Sequence, residues 1–281
     1  MGLWEGRVAI VTGAAQGIGF AVAARIFAEG GRLILGDMQN EKLHAASRLL
    51  DTDGKRVMPF TLNVADGDSA YAMVNAGIEK FGRIDALVNV AGGSGSVIVE
   101  QIEDMKDEVW DSVISSNLRG TFICSRAVVP IMKRQGFGSI VNFATGSIRG
   151  FKGKSTSAGR LAYVSAKAGI IGFTNQLSQD LDGFNIAVNV IQPGFVLTEP
   201  GARIREIFES MPFEDQQAML ARRSPRTPEE LGWATAVLAS KSRIELTSTC
   251  VRLHGPINSL NLRIVHDPEG ILASTAKLEA A

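Results

Sequence analysis

The stretch "RVAIVTGAAQGIG", residues 7–19, joins a short apolar run to a glycine-rich turn and then to a predicted helix. Gly13, Gly17 and Gly19 allow the backbone to turn tightly and to approach a pyrophosphate closely. The free N–H groups and the dipole at the start of the following helix attract the same anion. Gln16 and Ile18 complete the loop. The spacing predicts a strand, a phosphate-binding loop and a helix that together bind a dinucleotide.

A second apolar run, "RLIL" at 32–35, is followed by Asp37, about 20 residues after the glycine loop. A carboxylate there can accept hydrogen bonds from both hydroxyls of an adenosine ribose. It would also repel a 2′-phosphate, and neither Met38 nor Gln16 supplies a compensating cation. The cofactor predicted from these residues is NAD, and NADP is the alternative.

Short apolar runs recur along the chain with longer helix-like stretches between them, which is typical of a parallel sheet covered by helices. The runs occupy 7–11, 32–35, 56–62, 84–90, 138–143, 186–191 and 249–253. They are almost continuously apolar, as strands buried on both faces are. Helices are predicted over 17–29, 107–134 and 162–182. The predicted fold class is α/β: a doubly wound parallel sheet of about seven strands with helices on both faces.

The domain organisation follows from the lack of any interruption in this alternation. No internal repeat, low-complexity tract or linker divides the sequence, so we expect a single domain over residues 1–262. The remaining segment, 263–281, has no clear periodicity and is expected either to pack on a neighbouring subunit or to fray.

Composition excludes several classes of partner. Lysine and arginine number 29, as do aspartate and glutamate, which argues against a nucleic-acid or anionic-membrane ligand. Cys124 and Cys250 lie in apolar stretches without metal-ligand spacing, so neither a disulfide nor a metal site is predicted. The sequence has no export signal and no run of ~18 apolar residues. We therefore expect a cytoplasmic protein that binds neither nucleic acid nor membrane.

Tyr163 and Lys167 are four residues apart in a predicted helix, so their side chains share a face. A phenol has a pKa of about 10, and a nearby ammonium and a cationic nicotinamide both favour its phenolate form. Such a tyrosine could take the proton of an alcohol while a hydride leaves the carbon. The same spacing alone is more often an ordinary pair on a helix surface.

Taken together, these segments resemble the short-chain dehydrogenase/reductase family over residues 6 to about 255. The matching motifs are "TGAAQGIG" at 12–19, Asp37, "NVAG" at 89–92, Asn117 in a long helix, "GSIVN" at 138–142, "YVSAK" at 163–167 and "NVIQPGFVLT" at 189–198. The resemblance implies a Rossmann-type fold and a catalytic tetrad of asparagine, serine, tyrosine and lysine. It also implies a homotetramer or homodimer built through the helices at 107–134 and 162–182.

The resemblance assigns roles residue by residue. Asn117 would hold a water in a proton relay, Tyr163 would be the general acid/base, and Lys167 would tune Tyr163 and bind ribose. Cofactor contacts are expected from Asn63 and Val64 at the adenine, and from Asn89, Ala91, Gly92, Pro193, Gly194, Val196 and Thr198 along the rest of the dinucleotide.

The serine role is where the sequence departs from the family pattern. Counting three residues on from Asn142 gives Thr145, whereas the segment before Tyr163 is about five residues longer than usual. A loop accommodates an insertion more easily than a strand does, which favours Thr145. Its hydroxyl offers the same donor and acceptors as serine. Ser147 is the second candidate.

The inserted segment is basic, with Arg149, Lys152, Lys154 and Arg160. It is either a solvated loop or, with Arg203 and Arg205 of a predicted substrate lid at 199–226, a site for an anionic group on the substrate. His254, after the last predicted strand, is either structural or borders a neighbouring subunit's site.

The function predicted is hydride transfer between NAD and a secondary alcohol or ketone, with a cis-diol or an acidic hydroxy compound among the candidate substrates. Two alternatives stay open: an NADP-dependent ketone reductase, and a dinucleotide-sensing protein on the same fold that has lost catalysis.

Overall fold

The computed structural model describes residues 2–95, 101–149, 160–194, 227–240 and 247–253, with Val196, Glu209, 212–214, Gln216 and 263–264. Within these residues eight strands form one sheet in the order β3-β2-β1-β4-β5-β6-β7-β8. The strands are β1 (Val8–Thr12), β2 (Arg32–Asp37), β3 (Val57–Thr61), β4 (Ala86–Asn89), β5 (Gly138–Phe143), β6 (Ile186–Pro193), β7 (Cys250–Leu253) and β8 (Arg263–Ile264). The first seven are parallel, which confirms the predicted doubly wound sheet.

The eighth strand extends the sheet into the segment expected to be a tail. Arg263 and Ile264 pair antiparallel with Arg252 and Val251 of β7. An antiparallel strand at the edge of a parallel sheet is a common arrangement in doubly wound folds.

Helices cover both faces of the sheet. They are α1 (Gly17–Ala28), α2 (Asn40–Leu50), α3 (Gly67–Phe81), α4 (Asp107–Ile114), α5 (Gly120–Gln135), α6 (Arg160–Asp180) and α7 (Pro228–Ser240). The predicted helix over 107–134 is therefore α4 and α5, joined by a π-helical turn, Ser115–Arg119. None of the described helices is both long and apolar enough to cross a membrane.

The central strands divide their side chains between two apolar cores. Ala9 and Val11 of β1 pack with α1, α2 and α7 on one face, whereas Val8 and Ile10 pack with α3 and α5 on the other. This division explains why the strand sequences are continuously apolar rather than alternating, since successive side chains point to opposite and equally buried faces.

The strand order places a crevice at the carboxyl ends of the central strands. β1 pairs with both β2 and β4, so the chain changes winding direction between β1 and β4. In open α/β sheets ligands bind outside the carboxyl ends of the strands at such a switch point. The glycine loop and the segments after Asn89 and Phe143 all begin at these carboxyl ends, and Asp37 is the last residue of β2 at the same end.

Candidate functional site

The phosphate loop leaves no room for side chains at its start. Gly13 has a φ of +67°, and a Cβ there would lie 2.9 Å from both the main-chain nitrogen and the Cα of Ala91. Glycine is therefore required by conformation and by space. Helix α1 begins at Gly17, so the first N–H groups of the helix, from Gly17 to Gly19, lack helical acceptors. A close-packed backbone followed by free amides fits a pyrophosphate.

Thr12 joins this loop to the segment after β4. Its buried hydroxyl oxygen accepts hydrogen bonds from the main-chain N–H groups of Val90, at 3.2 Å, and Ala91, at 3.1 Å. The two backbone walls of the crevice are thereby held together. The sequence interpretation did not single out Thr12, although a hydroxyl at the end of a buried strand is a signal for such a contact.

Asp37 lies at the end of β2 and is buried, 8% exposed. Its Oδ2 accepts a hydrogen bond from the N–H of Ala15 at 3.1 Å, and its Oδ1 accepts one from the N–H of Gln39 at 3.0 Å. Each carboxylate oxygen has a second lone pair. The carboxylate is thus fixed beside the glycine loop and can still accept two ribose hydroxyls.

Asn63 and Val64, expected at the adenine, follow β3. The Asn63 Oδ1 accepts a hydrogen bond from the N–H of Ala65 at 3.0 Å, so its side chain stabilises its own turn. Val64 packs against the start of α5, where a Cβ on Gly120 would lie 2.7 Å from the Val64 Cγ2. Val64 is partly exposed and can offer an apolar contact to a base, while the exposed Asn63 can offer its amide nitrogen.

The side chain of Asn89 points into the protein rather than into the crevice. Its Nδ2 donates to the Oδ1 of Asn142 at 2.9 Å and to the Oγ of Ser125 at 3.3 Å. Asn142 in turn donates to the Oγ1 of Thr174 on α6 at 2.9 Å. Any contact of Asn89 with a cofactor would therefore come from its main chain. This buried polar chain ties β4 and β5 to the helix that carries Tyr163.

Asn117 lies in the π-helical turn and is fully buried. Its Nδ2 donates to the main-chain oxygens of Gly93 and Val113, both at 2.8 Å, and its Oδ1 has no partner in the structure. Its own main-chain oxygen accepts a hydrogen bond from the Thr121 hydroxyl at 2.9 Å. Irregular π turns of this kind often occur at functional sites. The unsatisfied Oδ1 is thus the Asn117 acceptor available to a water or ligand.

Gly92 allows Asn117 to approach the crevice. Its φ is +137°, and a Cβ there would lie 2.3 Å from the Asn117 Oδ1. A larger residue would strain the backbone and displace the asparagine. Gly92 and Asn117, far apart in sequence, therefore form one unit at the carboxyl end of β4.

Tyr163 and Lys167 lie one turn apart on α6, and the structure brings both to the end of β5. The buried Lys167 ammonium donates a hydrogen bond to the main-chain oxygen of Phe143, with an Nζ–O distance of 2.8 Å. The same nitrogen lies 5.7 Å from the centre of the Tyr163 ring. Lys167 thus places a positive charge close to the phenol while it binds the strand.

Burial acts on these two groups in opposite directions. It raises the pKa of the Tyr163 phenol, and a hydrogen bond with the Thr145 hydroxyl opposes part of that rise. Burial lowers the pKa of the Lys167 ammonium to about 8. Desolvation of the phenolate is the largest effect on Tyr163, whereas the sequence-based expectation concerned the influence of the ammonium together with a bound cationic nicotinamide. In the protein alone, the phenol is therefore protonated at neutral pH.

Thr145 is the hydroxyl that meets Tyr163. Besides its hydrogen bond with the phenol, its Oγ1 accepts one from the N–H of Ser147 at 3.3 Å. Ser147 lies in the short 3₁₀ turn Gly146–Arg149 that follows. Its main chain orients Thr145, so the geometry favours Thr145 over Ser147 for the serine role.

Part of the expected site lies outside the residues that the structure describes. Thr198, Lys152, Lys154, Arg203, Arg205 and His254 lie outside the described residues, as does most of the expected lid at 199–226. Arg149 and Arg160 are described only in their main chain. Pro193 is the last residue of β6, and the N–H of the next residue, Gly194, donates a hydrogen bond to the Leu253 oxygen at 3.3 Å. Val196, two residues further on, is partly exposed.

Comparisons with known proteins agree with this arrangement. Residues 7–207 match the family described as short chain dehydrogenase. The chain is 36% identical over 255 residues to 3-oxoacyl-[acyl-carrier-protein] reductase FabG of Thermotoga maritima, covering 89% of this chain and 97% of that protein. It is 36% identical over 252 residues to short-chain reductase protein NovJ of Streptomyces niveus, covering 88% and 92%. It is 34% identical over 218 residues to (2S)-[(R)-hydroxy(phenyl)methyl]succinyl-CoA dehydrogenase subunit BbsD of Thauera aromatica, covering 78% and 82%.

Proposed function

Because the chain belongs to the short-chain dehydrogenase family and is an oxidoreductase of that family, we propose that it interconverts a ketone and a secondary alcohol with NAD as cofactor. Tyr163 is the proposed general acid/base, Thr145 its hydrogen-bonding partner, and Lys167 the cation beside it. A bound NADH supplies the hydride for such a reduction. The observation that carries the proposal is the Thr145–Tyr163 hydrogen bond at the crevice, with the Lys167 ammonium 5.7 Å from the phenol ring.

The ionisation of the site meets the needs of ketone reduction. Reduction requires a proton donor for the carbonyl oxygen, and burial raises the pKa of Tyr163, so the phenol holds its proton. The Thr145 hydroxyl can donate to the same carbonyl oxygen and orient it. The relatives support this direction as well, since two of them are named as reductases.

The names of two relatives also suggest a substrate class. One is named for a 3-oxoacyl group on acyl carrier protein and the other for a hydroxylated succinyl group on coenzyme A. We therefore propose an acyl group carried on coenzyme A or on acyl carrier protein, with the ketone on the acyl chain. The basic segment at 149–160 would suit the phosphates of such a carrier, in line with the anionic substrate expected from sequence.

NAD is preferred to NADP in this proposal because of Asp37. Its carboxylate is fixed by the N–H groups of Ala15 and Gln39, so it cannot turn away from the ribose site without breaking hydrogen bonds. A fixed negative charge favours two hydroxyls over a 2′-phosphate.

A homo-oligomer built through α4, α5 and α6 is also proposed. Their surface presents Phe122, 42% exposed and in edge-to-face contact with Phe173 at 6.4 Å, and Trp110, 37% exposed. The Arg126 guanidinium lies 5.0 Å from the Phe122 ring centre. Exposed aromatic rings and arginine are enriched in protein interfaces. Mass measurement by light scattering, compared between the wild type and Phe122→Glu, tests this assembly.

The direct test of the activity is NADH oxidation with a panel of carbonyl compounds. We expect acetoacetyl-CoA to be reduced faster than free acetoacetate and faster than a simple ketone, and NADH to be preferred to NADPH. The reverse reaction is followed as NAD reduction with 3-hydroxybutyryl-CoA. Tight NADH binding without turnover of any ketone or secondary alcohol would instead support the dinucleotide-sensing alternative.

We expect Thr145→Val to lower kcat for ketone reduction about 10²-fold, because valine keeps the shape but removes a hydrogen-bond donor to the reacting oxygen. Thr145→Ser restores the hydroxyl and should stay within about fivefold of the wild type. Ser147→Ala keeps the main-chain N–H that orients Thr145, so its loss should be about twofold or less. Steady-state kinetics with the three variants checks this, and a larger loss in Ser147→Ala than in Thr145→Val would transfer the role to Ser147.

The pKa of Lys167 predicts a pH dependence. The value is lowered to about 8 by burial, so the ammonium is charged at neutral pH and loses its proton near pH 8 instead of near 10.5. We expect kcat/KM for NADH, which reports the free enzyme, to be level below pH 7 and to fall above pH 8 as this cation disappears. A profile that stays level to pH 10 would contradict the role of the Lys167 charge.

A further inference from the structure

A lysine on α2 is hydrogen-bonded to the glycine loop. The Lys42 ammonium donates a hydrogen bond to the Gln16 Oε1 at 3.1 Å. Gln16 is the last residue of the glycine loop before α1, and Lys42 lies in the first turn of α2, just after Asp37. The contact therefore spans from the loop that follows β1 to the helix that follows β2.

Asp37 lies between the same two segments. It accepts one hydrogen bond from Ala15, next to Gln16, and another from Gln39, three residues before Lys42. The Gln16–Lys42 contact and the hydrogen bonds of Asp37 therefore join the same two segments, and a ribose bound to the Asp37 carboxylate would lie beside them.

The charge of Lys42 is not neutralised by an acidic partner. Among the ion pairs of the described residues, none includes Lys42, and its side chain is exposed. Gln16 is neutral, so the hydrogen bond directs the ammonium without cancelling it. Lys42 lies five residues after Asp37 and 26 residues after Gln16, so the residues adjacent to Asp37 and those of the glycine loop do not reveal it.

We propose that Lys42, held by Gln16, is a cofactor-specificity residue that attracts the 2′-phosphate of NADP. It thereby reduces the preference for NAD over NADP that Asp37 creates. The inference rests on the proposed function, in which a nicotinamide dinucleotide binds at Asp37. Asp37 and Lys42 act on the same phosphate with opposite sign, so the ratio of the two affinities depends on both. Because Lys42 is exposed, its attraction is moderate and is screened by salt.

The test is a set of dissociation constants for NAD and NADP, measured by calorimetry at low and high salt. In the Asp37→Ser background, where the repulsion is removed, we expect Lys42→Met to weaken NADP binding about three- to tenfold and NAD binding by less than about twofold. Lys42→Arg in the same background should keep NADP affinity within about twofold. The difference between lysine and methionine should shrink at high salt.

Lys55 provides the matched control. It is an exposed lysine in the turn after α2 and pairs with Asp53 at 3.3 Å. Lys55→Met in the Asp37→Ser background should change the two dissociation constants equally and by less than about twofold. This comparison separates a local effect of Lys42 from a general loss of positive charge.

The possible results separate this inference from the proposed function. Selective weakening of NADP binding by Lys42→Met supports both the role of Lys42 and the proposed function. Equal weakening of NAD and NADP, or no change in either, overturns the role of Lys42 while NAD binding still supports the proposed function. Failure of the wild type to bind either dinucleotide overturns both.

Discussion

Tyr163→Phe will lower kcat for ketone reduction by about 10³-fold or more, while the dissociation constant for NADH changes by less than about threefold. The substitution removes only the phenolic O–H, the sole group at this position that can deliver a proton to a carbonyl oxygen. It also deletes the hydrogen bond with Thr145, which should cost about 1 kcal/mol in the free energy of unfolding. Stopped-flow or steady-state oxidation of NADH measures the first effect, and urea denaturation measures the second.

Two controls make the Tyr163→Phe result specific. Tyr71, exposed on α3, is the other tyrosine of the sequence, and Tyr71→Phe should leave kcat unchanged. Calorimetric titration with NADH establishes that the Tyr163→Phe protein still folds and binds. If the variant kept more than about a tenth of wild-type kcat, proton transfer would have to come from another group, and the proposed role of Tyr163 would be wrong.

Lys167→Met will lose about 10²-fold or more in kcat/KM without losing stability at pH 7. The ammonium is buried, and its pKa is lowered to about 8 from 10.5, so burial disfavours the charged form by roughly 3 kcal/mol. Methionine fills a similar volume without that cost. The Phe143 oxygen loses one hydrogen bond, and this loss offsets about 1 kcal/mol or more of the stability gained by removing the buried charge. We therefore expect the free energy of unfolding to stay equal or to rise by about 1–2 kcal/mol.

The pH dependence of the free energy of unfolding tests whether the desolvated Lys167 ammonium is the cause of this stability difference. A lysine whose pKa is depressed in the folded state binds its proton more readily when the chain is unfolded, so its contribution to stability increases as pH rises from about 8 to 10.5. The stability advantage of Lys167→Met should therefore be largest below pH 8 and should shrink towards pH 10.5. Denaturant unfolding of both proteins at pH 7 and pH 10 measures it. A variant that is less stable by several kcal/mol at pH 7 would show that Lys167 is mainly structural.

Most of the sheet could be predicted because its determinants are local. Each of the seven apolar runs in the sequence became a parallel strand, with ends shifted by no more than two residues. The helix expected over 107–134 contains a π turn that the sequence pattern did not suggest. A π turn inserts one residue without changing the apolar character of the segment, so periodicity alone does not reveal it. The β8 pairing was also missed, since two residues are too few for a pattern.

The sequence by itself determined the winding of the fold, the glycine loop, the acidic residue after β2 and the helical Tyr163–Lys167 pair. These features depend on residue type and on spacing within single segments. Only the tertiary structure decided which hydroxyl is hydrogen-bonded to Tyr163, where the Asn89 side chain points, that Lys42 contacts Gln16, and that burial raises the pKa of Tyr163 in the protein alone. Those outcomes depend on contacts between distant parts of the chain and on the removal of water from around a side chain, and both are set only when the segments pack together.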